Sequence, residues 1–476
     1  MQSESTDYLI IGAGATGLSF ADTLIEQTDA QITIVDKHAL PGGHWNDAYP
    51  FVALHQPSAF YGVNSLPLGT GHKDTHGPNA GMFELASGAE VSGYFQRVMH
   101  QKLIPSGRVR YLPMSEFLGV SGNVGSVRGI FSGQKSQITV RKKWVDATFF
   151  TPQVPATAAP AFAVADGVSF VTPTQLTQLW QRQGQSPGQD GPEHFCVLGA
   201  GKTAMDACLW LLNWGVQPES IHWVMPRDSW LINRLTTQPG EEFFKYSMGG
   251  VAHQLKAMSE ATSVNDLFER LEASSQMLRI DRTRQPAMMH YATCSQAEVA
   301  QLARIKQVLR LGRVQSIEPN ALVFEQSRQT MPKDTVYVNC TASAVLPRAN
   351  GPMFQGNKIL PQLVRLPLIS FSAAVCAFVE ANYDDEATKN QLCVPVPFPQ
   401  SPAGYIAATL GNMANQQRWG QEKALRNWMR DSRLDGFGKL TASVSVEDSE
   451  KMAILNDIRH YSMAAVGNGK KLLATQ

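Results

Sequence analysis

The residue pattern predicts an α/β protein built on two Rossmann-like units, with antiparallel β-meander insertions and a helical C-terminal region. Three observations carry this prediction. Residues 12–17 read GAGATG between an apolar run and an amphipathic one, residues 199–204 read GAGKTA in the same setting, and two stretches, 109–148 and 313–341, are β-rich with turn residues between short runs.

The elements follow in chain order. Residues 7–12 have the pattern of a strand, 15–27 of a helix and 31–36 of a second strand, which is a βαβ unit from the start. The runs over 109–148 are broken by Ser121-Gly122-Asn123 and Ser132-Gly133-Gln134, as in an antiparallel meander. GQSPGQDGP at 184–192 is the strongest surface-loop signal. After it, strand 195–198, helix 203–214 and strand 221–225 open the second unit. Residues 240–278 are helical in pattern, 313–341 turn at Pro319-Asn320, and the chain is mainly helical from Trp419 onward. The apolar run 368–379 falls short of the roughly 20 residues needed to cross a bilayer and is expected as a buried helix.

Composition excludes several classes. The 476 residues, 43% hydrophobic and 17% charged, have the make-up of a multidomain globular protein. Forty-one basic against 40 acidic residues leave a formal charge of +1, too little field to hold a nucleic acid. The apolar stretch 8–11 runs straight into glycines and lacks the parts of a signal peptide, so a cytoplasmic protein is expected. The six cysteines have no CxxC or CxxxxC spacing, which disfavours a disulfide reductase. His72 and His76 sit among glycines and a proline, and no metal site is expected.

The two glycine turns carry the chemistry. In Gly12-Ala13-Gly14-Ala15-Thr16-Gly17 the first glycine permits the tight turn, Gly14 admits a pyrophosphate to the backbone, and Gly17 allows close helix packing. The helix N-terminus then faces the anion. Asp36 ends the next strand, followed by Lys37; its carboxylate accepts from an adenosine ribose and repels a 2′-phosphate, which suits FAD or NAD. Gly199-Ala200-Gly201-Lys202-Thr203-Ala204 repeats the pattern with alanine third. A P-loop would need glycine where Cys196 stands. Pro226-Arg227 replaces the acid after the second strand, so Arg227 can grip the 2′-phosphate of NADPH or pair with its neighbour Asp228.

Beyond these turns, Pro41-Gly42-Gly43-His44-Trp45 matches a GGxW element and Leu54-His55-Gln56-Pro57-Ser58 follows it. With them the chain resembles the flavin-containing monooxygenase superfamily, like the class B flavoprotein monooxygenases, over roughly residues 5–380. The resemblance implies FAD at the first turn, with Gly43, His44 and Trp45 beneath it, and NADPH at the second. It implies that His55 and Gln56 lie near the flavin and nicotinamide, Gln56 standing where the family often has asparagine; an exposed loop position is the alternative. Trp230 is then a pocket aromatic or a core residue. Val338-Asn339-Cys340-Thr341-Ala342 looks like the element returning to a discontinuous FAD domain, giving 1–160 with 318–400 for FAD, 161–317 for NADPH and 401–476 as a helical region. The implied activity is NADPH-dependent oxidation of a small organic molecule by molecular oxygen through a flavin C4a-hydroperoxide. One departure marks a divergent branch: 162–173, FAVADGVSFVTP, lacks the histidine of the family's FxGxxxHxxx(W/P) fingerprint. A reductase, oxidase or desaturase that inserts no oxygen is therefore the alternative, and two intact turns also suit a nucleotide sensor without turnover.

Overall fold

A computed structural model describes residues 4–183, 192–342, 345 and 348–475. Apart from Pro192, the surface loop expected at 184–192 lies outside the described residues. The first sheet runs in the order Phe354–Gln355, Lys358–Ile359, Lys135–Asp146, Glu4–Ile11, Ile32–Val35, Val109–Leu112. Glu4–Ile11 pairs in parallel with Ile32–Val35 and with Lys135–Asp146, and Ile32–Val35 in parallel with Val109–Leu112. Where they lie at the centre of the sheet, Tyr8, Leu9 and Ile10 and the whole of Ile32–Val35 are buried and almost entirely apolar, while the first half of Glu4–Ile11 is polar and reaches the surface. The long strand Lys135–Asp146 also closes the meander, pairing antiparallel with Val124–Gly129, which in turn pairs with Ser115–Ser121.

Two helices, Ala15–Gln27 and Ile369–Asn382, cover the first sheet together. The second is buried from Ser370 to Glu380, as the apolar run at 368–379 predicts. Its polar anchor is Glu380, which accepts from the Tyr8 hydroxyl at 2.9 Å, Lys143 Nζ at 2.8 Å and Lys389 Nζ at 2.6 Å. A buried carboxylate is tolerated when paired and hydrogen-bonded in this way.

The second sheet is wholly parallel: Phe170–Val171, Val336–Asn339, Phe195–Leu198, Ile221–Val224, Gln307–Leu309. This corrects one expectation. The strand Val336–Asn339 lies inside the second sheet, and the hairpin 314–324 packs beside it through Ala163–Val164. The chain rejoins the first sheet at Phe354–Ile359, not at 318. The reason is pairing: the register of Val336–Asn339 places it against Phe195–Leu198 along its whole length. The segment 162–173 supplies short edge strands to the second unit, Ala163–Val164 and Phe170–Val171.

The C-terminal helices serve both units. Ser449–Ala474 lies along Phe244–Glu260, and Pro402–Gln421 brings Trp419 into the first core, where its indole donates to the Leu392 carbonyl at 2.7 Å. All six cysteines are free and buried. Among the described residues no helix is long and apolar enough to cross a membrane, and no cluster of metal-binding side chains is present.

Candidate active site

At the first turn Gly12 has φ +102°, and a Cβ on Gly17 would lie 1.9 Å from the Gly12 carbonyl oxygen, so neither position takes a side chain without moving backbone. Ala15 and Thr16 start the helix, whose N-cap Gly14 leaves the first amides without a side-chain acceptor. The GGxW element is tied to this turn. Gly42 N donates to the Ala13 carbonyl at 2.8 Å, and a Cβ on Gly43 (φ +59°) would lie 3.0 Å from Gly14 Cα.

Asp36 is nearly buried and accepts from the amides of Ala13 and His38. His38 also places Nδ1 2.8 Å from Asp36 and Nε2 3.1 Å from Asp47. Burial would raise Asp36, but the hydrogen bonds from His38 and Ala13 outweigh it and hold the carboxyl below its ordinary value. The bond to Asp36 likewise holds His38 above its ordinary value, against burial. Lys37 points to solvent. Trp45 donates its indole N–H to the Tyr61 hydroxyl at 2.8 Å, and His44 is pushed down to about 4 by burial.

At the second turn Gly199 has φ +126°, and a Cβ there would lie 2.5 Å from the Cys340 carbonyl oxygen; a Cβ on Gly201 would meet nothing within 4 Å. Gly201 caps the helix Lys202–Asn213 without a side-chain bond, leaving the Thr203 end open in the same way as the first, while Ala204 is buried. Lys202 departs from the expected cofactor contact. Its amine turns inward to Asp206, one helical turn on. Burial would lower Lys202, but the negative charges around it, Asp206 first and Glu298 with it, together hold it above its ordinary value. The alternative pairing of Arg227 is decided by geometry: Asp228 accepts from Nε and Nη2 of Arg310 at 2.8 and 2.9 Å, and Arg227 is exposed.

Residues 43–60 join the two turns. From Gly43 against Gly14 the segment runs to Tyr49, whose hydroxyl donates to Asp206 at 2.7 Å, and to Phe51, stacked on Trp210 at 5.3 Å. His55 and Gln56 follow, both half-buried. The His55 carbonyl accepts from Arg234 Nε at 2.9 Å. Burial, then the charges of Lys202 and Arg234, hold the His55 imidazole well below its ordinary value, so it is neutral. Among the described residues the Gln56 amide has no hydrogen-bond partner. Trp230 is a core residue: it is fully buried against Phe268 at 5.2 Å, under the Arg279 guanidinium.

A cavity of about 370 Å³ is lined by Phe149, Phe150, Arg348, Val396, Phe398 and Gln400. Tyr49, Asp206, Arg234 and Glu298 join the candidate site without having been singled out in the sequence. The available signal was Arg234 itself, a charge two residues past the apolar run 230–232.

A model of the NAD(P)-binding Rossmann-like domain matches residues 10–64, which span the first turn and the joining segment. The uncharacterized protein Rv2000 of Mycobacterium tuberculosis is 42% identical over 440 residues, covering 92% of this chain and 79% of its own length. The chain belongs to its family. The uncharacterized protein Mb2023 of Mycobacterium bovis matches this member of the Rv2000 family to the same extent. Among solved structures, a polycyclic ketone monooxygenase from Thermothelomyces thermophila is 13% identical, covering 98% of this chain and 89% of that one, with a TM-score of 0.52. A cyclohexanone monooxygenase is 12% identical, covering 80% and 87%, also at 0.52. These likenesses place this Rv2000-family chain in the flavin-monooxygenase fold.

Proposed function

We propose that the protein is an NADPH-dependent flavoprotein monooxygenase that oxidises a small organic molecule with dioxygen. The observation that carries this reading is the joining segment, which touches the first glycine turn at Gly43 and the second turn's helix at Tyr49. Two nucleotides bound at these turns would meet along one short stretch of chain, as hydride transfer between them requires.

The residues fit FAD at the first turn. A side chain at Gly14 or Gly43 would fill the space between them, and Gly12, Gly14, Ala15, Thr16 and Gly17 offer backbone to a pyrophosphate. Asp36 would take the ribose, with the Lys37 backbone beside it, and Gly43, His44 and Trp45 would line the far side. At the second turn Gly199, Gly201, Thr203 and Ala204 would hold the NADPH pyrophosphate and Arg227 its 2′-phosphate; Lys202 would contribute backbone alone. Bound FAD would supply the electron carrier, NADPH, dioxygen, a proton and substrate giving NADP⁺, water and the oxygenated product. The chain's part is to orient and to exclude water: His44 and His55 would enter uncharged, and Gln56 would offer an amide to whichever ring edge it meets.

A solved neighbour of this fold, OTEMO, is described in complex with FAD and NADP; it is 12% identical, covers 91% of this chain and 93% of that one, and has a TM-score of 0.50. That supports the cofactor pair. We assign residues 1–160 with the chain after 342 to the FAD domain, 161–342 to the NADPH domain, and a cytoplasmic setting. A second reading, an FAD and NADPH oxidoreductase that inserts no oxygen, is favoured by 162–173, which forms edge strands without a histidine. A screen of amines, thioethers and ketones for substrate-stimulated NADPH oxidation, with product mass measured, separates them. A gain of 16 mass units supports the first; steady NADPH oxidation with peroxide and no product gain supports the second.

A further inference from the structure

Arg234 is fully buried, at the end of the strand Ser229–Asn233. Its guanidinium donates from Nε to the His55 carbonyl at 2.9 Å, from Nη1 to Asn79 Oδ1 at 3.4 Å and from Nη2 to the Thr293 carbonyl at 3.3 Å. Nη2 also lies 2.8 Å from Glu298 Oε2. Two of these acceptors belong to the first unit's excursion and two to the second unit. Glu298 is itself fixed, accepting from Ser295 N at 2.7 Å in a capping box. A parallel tie runs beside it: Gln238 donates to the Arg234 carbonyl at 3.1 Å and accepts from Phe83 N at 2.8 Å.

A buried ion pair contributes little to stability compared with apolar residues of the same volume, and its better-attested use is to fix one arrangement among several. A planar guanidinium with acceptors on several sides serves this end better than an ammonium, because its donors leave in fixed directions. What it fixes here is the carbonyl next to Gln56, held against the strand end at Thr293 and the helix start at Glu298. The Lys202 amine, at the second glycine turn, lies within electrostatic reach of both Arg234 and Glu298.

We propose that Arg234 is a positioning residue that locks the His55–Gln56 segment to the nicotinamide-nucleotide unit, so setting the distance across which hydride passes. This rests on the functional reading above, and the test separates the two. Two variants are made in the full chain: Arg234→Lys, which keeps the charge for Glu298 but loses the fork, and Arg234→Met with Glu298→Leu, which removes both charges at similar volume. Amide exchange over residues 54–58 is expected to rise in both, while exchange in the strand Phe195–Leu198 stays at the parent's level. Anaerobic bleaching of bound FAD by NADPH is expected to slow by roughly 100-fold, the cost of a misplacement of about 1 Å, with NADPH affinity and FAD content unchanged. Unaltered exchange at 54–58, or bleaching as fast as the parent's, overturns the proposal. So does loss of the whole fold in both variants, which would make Arg234 a stability element. If the parent itself is not bleached by NADPH, the functional reading falls and the exchange comparison alone decides the clamp.

Discussion

The two glycine turns share a pattern and a first glycine that admits no side chain, but they differ in tightness at the second and third glycine positions. At the first, Gly17 sits so close to Gly12 that no Cβ fits, Gly43 presses on Gly14, and Asp36 is fixed by hydrogen bonds from the protein itself. At the second, the equivalent third position is already Ala204, Gly201 faces open space, and Arg227 is exposed beside an aspartate engaged elsewhere. On the proposed function, the first turn would serve as a socket for a resident cofactor and the second as a dock for a nucleotide that comes and goes. A preorganised site loses less on binding and releases more slowly.

The largest expected effect breaks the tight turn. Gly17→Ala drives a methyl into the Gly12 carbonyl, and the protein is expected to purify colourless, with FAD absent from the absorption spectrum; Ala204→Gly at the loose turn costs about 1 kcal/mol of helix propensity and keeps the flavin. A yellow Gly17→Ala protein would erase the contrast. Next comes Arg227→Ala, which removes a charge-assisted bond worth about 1.5–3 kcal/mol, so NADPH binding weakens roughly 10-fold to 150-fold while NADH is unchanged. Isothermal titration with both nucleotides checks this, and equal losses would return Arg227 to a structural role.

A smaller effect reads the socket through pH. His38 is raised above its ordinary 6.5, so its contribution to the folded state is complete below 6.5 and fades as pH climbs through the raised value. Asp36 is depressed below 3.8, so its contribution is complete above 3.8 and fades as pH falls through the lowered value. The Tm deficit of His38→Asn is expected to be greatest near pH 5.5 and to shrink towards pH 9, as melting curves across that range would reveal. A deficit that grows with pH has the wrong sign for this pair. Smallest is Gln56→Ala, expected to raise peroxide formed per NADPH oxidised by a few-fold, through an unsatisfied partner left in a dry site; an unchanged peroxide ratio places Gln56 outside the site.

Both glycine turns were legible in the sequence because local rules govern them. A glycine at φ +102° followed by a close helix leaves a mark on the residues themselves, and Asp36 falls where the strand must end. The Lys202 side chain was not legible for the opposite reason: its partner Asp206 lies on the same helix, but Tyr49, bonded to Asp206, and the charges of Glu298 and Arg234 that surround the pair are far off in sequence. For Trp230 the sequence left a pocket aromatic and a core residue both open; the fold decides for the core, since the strand it occupies faces Phe268 and the C-terminal helices. Arg234 could not be placed from sequence, since its acceptors at 55, 79, 293 and 298 meet only in the fold. The late return to the first sheet was misplaced because a four-residue apolar strand, Val336–Asn339, fits either sheet by pattern.

That late return has a consequence for how the protein is made. The first core takes in Met353, Phe354, Phe371 and Trp419, all from beyond the second unit, so the half begun first is completed last. On a ribosome moving at about 5–20 residues per second, the roughly 200 residues between Asp146 and Phe354 take about 10–40 s to emerge. Through that interval the second unit can close upon itself, while the nascent first sheet waits with the edge at Trp144 and Val145 uncovered. That edge presents unpaired backbone groups, the kind of surface through which a nascent sheet pairs wrongly, until the late strand covers it.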